Sequence, residues 1–196
     1  MLRILPYSHP ALRFESRPVA TIDASLRSVV RSMFDLMYAA KGVGLAANQV
    51  GLPYRLFVLN LASDPGKPGD ERVFVNPEIV KRHSFIVGEE GCLSFPGLYA
   101  NVQRARKIKV QAFDLGGQPF EVEAEDLLSR AIQHEADHLD GVLFIDRLTP
   151  DLFEKVEAKV RGLERDFKKH QAAGEYPSDD DILRGLRDHK PGDPPP

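Results

Sequence analysis

Apolar residues recur at Ile22, Leu26, Val29, Val30, Met33, Phe34 and Met37, the spacing of one helix face, and predict an amphipathic helix over 22–41. Asp23 stands where a cap is expected, and Gly42 where the helix should stop. After it the pattern changes to short runs of β type at 54–59, 72–75, 108–113 and 119–124. Leu115-Gly116-Gly117-Gln118 reads as a hairpin turn between the last two runs. The stretch 63–71, rich in Pro, Gly and Asp, predicts an exposed loop. A second helix is expected over 126–140, with Gly141 as its stop. A third should begin at Thr149 and Pro150, because Leu152, Phe153, Val156, Val160, Leu163 and Phe167 then repeat at helical spacing.

Length adds that 196 residues suit one ordinary domain with a core of its own. From Gly174 the composition shifts: residues 174–196 hold six acidic and three basic residues and end in Pro194-Pro195-Pro196. The expected organisation is a single domain over 1–173 and a flexible acidic tail over 174–196, in which Ser178 and Asp181 cap at most one short turn through Leu186. A formal net charge of −3 supplies no basic field for DNA. No apolar run approaches the roughly 20 residues of a membrane span, and the first residues lack the apolar core of a signal peptide. A single cysteine forms no intrachain disulfide, so a cytoplasmic, reducing compartment is the expectation.

Chemistry concentrates in Gln133-His134-Glu135-Ala136-Asp137-His138, inside the second helix. Residues four apart lie on one helix face, so His134 and His138 point at one metal ion. Glu135 falls to the side, where a carboxylate reaches a water rather than the ion. The fold class expected is therefore α+β, with antiparallel β-sheets packed around a central metal-binding helix, an N-terminal helix and a C-terminal helix. A catalytic site needs a third ligand. The metzincin pattern fails because Phe144 stands where its third His would be, and Glu154, Glu157 and Glu164 fall on the charged side of the third helix. Cys92, in Glu89-Glu90-Gly91-Cys92-Leu93-Ser94, is the remaining candidate. As a nucleophile it would leave one His and Glu135 without a role, whereas a Cys/His/His site uses all four residues. In Gly42-Val43-Gly44-Leu45-Ala46-Ala47-Asn48-Gln49 the small residues allow close backbone approach, and Gln49 offers an amide donor.

Taken together, Gly42 to Gln49, Glu90 to Ser94 and Gln133 to Gly141 resemble the three motifs of the peptide deformylases, in the family's order. His9-Pro10, Leu12-Arg13 and Asn76-Pro77 extend the resemblance over roughly residues 1–170. It implies removal of the formyl group from the N-terminal formylmethionine of nascent polypeptides, with release of formate. Cys92, His134 and His138 are then the metal ligands and Glu135 the general base. The Gln49 side chain and the Leu93 backbone N–H meet the oxyanion. Val43, Leu127 and Ala131 are expected as walls of the methionine pocket, with Gly44 lending its backbone to a peptide that docks as an added strand. Glu90 and Arg104 are expected as a charge pair, either supporting the cysteine or lying on the surface. The resemblance also implies Fe2+ as the ion, with Zn2+, Ni2+ or Co2+ as other occupants. It further implies weak ribosome contact through the C-terminal helix, where Lys155, Lys159, Arg161, Arg165, Lys168 and Lys169 gather. His9, His83, His170 and His189 are expected on the surface. An endopeptidase and a metal-stabilised module that only captures N-termini are the competing readings.

Overall fold

The computed structural model describes residues 2–190; Met1 and residues 191–196, the end of the expected tail, lie outside them. Helix α1 (Ala24–Ala39) begins where Asp23 accepts the Leu26 N–H at 2.8 Å, and it buries Leu26, Val30, Met33, Phe34 and Met37. The predicted face is the buried face. Its end differs from expectation: Lys41, at φ 56°, takes the left-handed position, and Gly42 donates its N–H to Met37 at 2.9 Å. Gly42 is closely approached as well, since a Cβ there would lie 2.6 Å from Leu93 Cδ1 and would displace that side chain.

Strands β1 (Gly44–Ala46), β2 (Leu56–Leu59), β3 (Arg72–Cys92), β4 (Phe95–Phe113) and β5 (Pro119–Glu125) form one antiparallel sheet in that order, rather than separate sheets. The long pair β3 and β4 runs through it: β2 covers Arg72 to Val75 at one end of β3, and β5 covers Lys107 to Phe113 of β4. Register shifts between Val75 and Glu78, and between Ile79 and Lys81, interrupt the pairing and mark bulges in the ladder. At the far end Cys92 pairs with Phe95, so Leu93 and Ser94 form a two-residue turn. The second hairpin falls at the expected place, with Asp114 donating to Gln118 O at 3.0 Å and Gly117 at φ 77°.

Helix α2 (Asp126–Leu139) packs against β1, β2, β4 and β5. Ala131, Ile132, Ala136 and Leu139 join Phe57, Phe74, Ile108 and Val110 in one apolar cluster. Buried along most of its length, the helix carries Gln133, His134, Glu135, Asp137 and His138 into the interior. Each of these polar groups needs a partner there, and Gln133 finds one by pairing with both the N–H and the C=O of Ala105, at 3.0 and 2.8 Å.

Helix α3 (Pro150–Ala172) starts at Thr149 and Pro150 as expected, although the Thr149 side chain makes no capping bond. The expected flexible tail is corrected in its described part. Residues Asp179–Asp188 form a further helix, α4, capped by the Ser178 Oγ on the Asp181 N–H at 3.2 Å. Ile182 and Leu186 are buried beside Leu5, Leu12, Phe144 and Val160, which supplies the apolar contact that the tail's composition hid. Arg17 closes the end of α4, donating to the carbonyls of Leu186, Arg187 and His189 at 2.9, 2.9 and 3.1 Å. His9 and His189 are buried rather than on the surface, whereas His83 and His170 are exposed. His9 is drawn in because its Nδ1 accepts from the Ala11 N–H while its ring packs edge-on against Phe167 and Tyr176. No helix among the described residues is long and apolar enough to cross a membrane.

Candidate metal centre

Cys92 reaches the site on the turn of the β3–β4 hairpin, and His134 and His138 reach it from successive turns of α2. One ligand atom from each lies within 4.8 Å of the other two. The Cys92 Sγ is 3.3 Å from His138 Nε2, and the two rings stand edge to face at 5.0 Å. His134 Nδ1 faces Glu90 Oε2 at 3.0 Å, which holds the proton on Nδ1 and leaves Nε2 as the ligand atom. Burial disfavours charge on both imidazoles. Cys92 and Glu90 nevertheless raise His134 well above the usual histidine value, while His138, facing His134 and Arg104, falls well below it.

Glu135 is buried, and its Oε2 has no hydrogen-bond partner among the described residues. Gly44 allows the carboxylate to lie against β1, because a Cβ there would sit 2.4 Å from Glu135 Oε1. Burial pushes the Glu135 carboxyl up to about 7, where a group accepts and returns a proton with comparable ease. Two imidazoles, a sulfur and an unpaired carboxylate in a buried corner suit a divalent ion with an adjacent water, and a thiolate with imidazoles is a donor set that transition ions favour.

Gln49 is oriented by its own amide. Its Oε1 accepts the Ala46 N–H at 2.8 Å, so Nε2 faces Cys92 Sγ at 3.4 Å and Ser94 Oγ at 3.2 Å. The N-terminal segment braces this corner, with Leu5 N donating to Gln49 O at 2.8 Å and Tyr7 N to Ser94 O at 2.9 Å. Gln49, Leu93, Val43, Gly44, Leu127 and Ala131 all line one cavity of about 660 Å³ with Cys92, His134 and Glu135. Leu127 is 58% and Val43 38% exposed, so they form the rim rather than an enclosed wall, whereas Ala131 is buried.

Glu90 and Arg104 form a buried pair, not a surface one. Burial pushes the Glu90 carboxyl up, but bonds from His134 and Arg104 hold it well below the usual carboxylate range. Arg104 also bonds Asp137, which Arg147 clamps through Nε at 3.0 Å and Nη2 at 2.7 Å. Sequence reasoning left Ser94, Arg130, Gln133, Asp137 and Arg147 without roles; Ser94, Gln133 and Asp137 carried a signal in falling inside the motifs, whereas Arg130 and Arg147 carried none. Tyr99, whose ring would meet a Cβ at Gly91 at 2.5 Å, also lines the cavity.

A family profile described as polypeptide deformylase matches residues 1–153. A peptide deformylase of Chromobacterium violaceum is 44% identical over 165 residues, covering 84% of this chain and 97% of that protein. Among solved structures, a peptide deformylase from Plasmodium falciparum superposes with a TM-score of 0.83 at 40% identity, covering 85% of this chain and 98% of its own. An inhibitor complex of peptide deformylase 1B from Arabidopsis thaliana gives 0.83 at 40%, with 87% and 94% covered.

Proposed function

The chain belongs to the polypeptide deformylase family, and from that premise we propose that Cys92, His134 and His138 hold the catalytic metal while Glu135 moves the proton. The protein is an enzyme, and it removes the N-formyl group from nascent peptides. The observation that carries the site assignment is the convergence of three ligand atoms beside a buried, unpaired carboxylate.

When bound, the ion supplies Lewis acidity, lowering the pKa of a water and drawing charge from the formyl carbonyl. Glu135 accepts the proton of the attacking water and passes a proton to the departing amine, so the formyl C–N bond breaks with formate and a free N-terminus as products. Gln49 Nε2 and the Leu93 N–H donate to the carbonyl oxygen as it gains charge. The methionine side chain occupies the cavity between Val43, Leu127 and Ala131, and the peptide backbone runs along Gly44 as an added strand.

The proposed ion in the cell is Fe2+, on the family resemblance, since by softness the donor set suits Zn2+, Ni2+ and Co2+ equally. The proposed location is the cytoplasm, without DNA or membrane as partner. A weak ribosome contact is proposed through α3. There Lys155, Arg165 and Lys169 are exposed, while Lys159 is engaged by Gly97 O, Arg161 by Glu157 and Lys168 by Asp179. Cosedimentation with ribosomes that weakens with salt is expected, and its absence at low salt contradicts this contact. The reaction itself is tested by formate release from a formyl-Met tripeptide with anaerobically purified protein of known metal content. Turnover proportional to bound Fe2+, and absent with the acetylated peptide, is expected. No formate from fully metallated protein overturns the assignment.

A further inference from the structure

The centre draws its sulfur from one element and its imidazoles from another, so its geometry depends on what fastens the β3–β4 hairpin to α2. Arg130, one turn before His134, spans that junction. Its Nη1 donates to Glu90 Oε1 at 2.8 Å, Val102 O at 2.9 Å and Gly88 O at 3.2 Å, and its Nη2 donates to Ile86 O at 3.1 Å. Gly88 makes the room, since a Cβ there would lie 2.9 Å from Nη2 and 3.1 Å from Cζ. The guanidinium therefore lies across both strands of the hairpin, over the gap at Gly88.

Glu90 already receives Arg104 through Nε at 2.9 Å and Nη2 at 3.0 Å, so Arg130 is not needed to balance its charge. What Arg130 adds is a link between two things. One planar group holds the carboxylate that orients His134 and the backbone of the strand that ends, four residues after Gly88, in Cys92. A fork of donors with fixed geometry is required for this, which an ammonium on a flexible stem does not offer. We propose that Arg130, seated in the gap left by Gly88, is a positioning residue that sets the separation of Cys92 from His134 and His138 and so the metal affinity of the site. This rests on the assignment of those three residues as ligands.

The test compares full-length wild type with Arg130→Met, Arg130→Lys, Gly88→Ala and Cys92→Ser, reading the zinc dissociation constant by competition with a chromophoric chelator alongside the melting temperature. Outer partners of metal ligands typically contribute ~10- to 100-fold in metal affinity. Arg130→Met and Gly88→Ala should weaken zinc by that factor, and Arg130→Lys should recover only part of the loss. Wild-type zinc affinity in Gly88→Ala and Arg130→Lys overturns the proposal, whatever happens to the melting temperature or to the folding of Arg130→Met. Wild-type zinc affinity in Cys92→Ser overturns the ligand assignment instead, so the two failures are told apart.

Discussion

Gly44 shows how one missing side chain shapes the chemistry. A methyl group there would meet Glu135 Oε1 at 2.4 Å and Leu59 Cδ2 at 2.7 Å, and Leu59 is a fully buried core residue with little freedom to yield. The carboxylate would have to leave the position beside the three ligand side chains from which it is proposed to act. Gly44→Ala should therefore lose at least about 100-fold in kcat, the lower range for a displaced general base, while keeping its metal; metal analysis beside steady-state kinetics checks this. That His134, Glu135 and His138 lie together was readable because their placement follows from helix periodicity. Gln49 and Leu93 needed the family resemblance. Arg130 and Gln133 were unreadable in role because their partners on the β3–β4 hairpin lie 28 to 44 residues away, a separation that no local pattern encodes, whereas Arg104 was expected beside Glu90.

Among the elements, α2 was legible by the His134/His138 spacing and by Gly141 as its stop, yet its meaning lies in being polar and buried at once. The two short runs read at 72–75 and 108–113 proved to be the ends of strands of 21 and 19 residues. The rest escaped because Lys81 to Val87 is exposed along its whole length, so no alternation of apolar and polar marks it. Helix α4 escaped for a different reason: Ile182 and Leu186 are its only fully buried positions in an otherwise charged segment, and tertiary contact alone makes it stable. Arg17 supplies much of that contact at the helix C-terminus, where a cation also complements the helix dipole. Arg17→Ala should cost about 1–3 kcal/mol in chemical denaturation. In hydrogen exchange it should deprotect the amides of α4 while leaving those of α2 unchanged. Uniform protection across α4 in the variant contradicts this.

At the scale of the molecule, the N-terminal segment ties the centre to the C-terminal helices, and His9 sits in the tie. Leu5 and Tyr7 hold Gln49 and Ser94, while His9 packs between Phe167 of α3 and Tyr176 just before α4. Burial, helped by Arg3 and opposed by Asp179, lowers its pKa to about 4, against about 6.5 for an exposed histidine. Because the folded value is depressed, the unfolded chain binds more protons between these values. Stability is therefore full above pH 6.5 and lost as pH falls toward 4, by about 3 kcal/mol. Glu90, also depressed, adds its loss only at more acid pH, below the ordinary carboxylate value. Metal-loaded wild type and His9→Gln should accordingly diverge in their pH dependence between 6.5 and 4, the variant showing the flatter curve in urea denaturation. Parallel curves would remove His9 from this role.

The central claim is that Cys92, His134 and His138 hold the ion while Glu135 carries the proton. Glu135→Gln keeps the shape of the side chain and removes the base, so the direct test is its metal content and formate release measured on one sample beside wild type. One equivalent of metal with turnover reduced ~100- to 10,000-fold is the predicted result; near-normal turnover, or loss of the metal, would contradict the account.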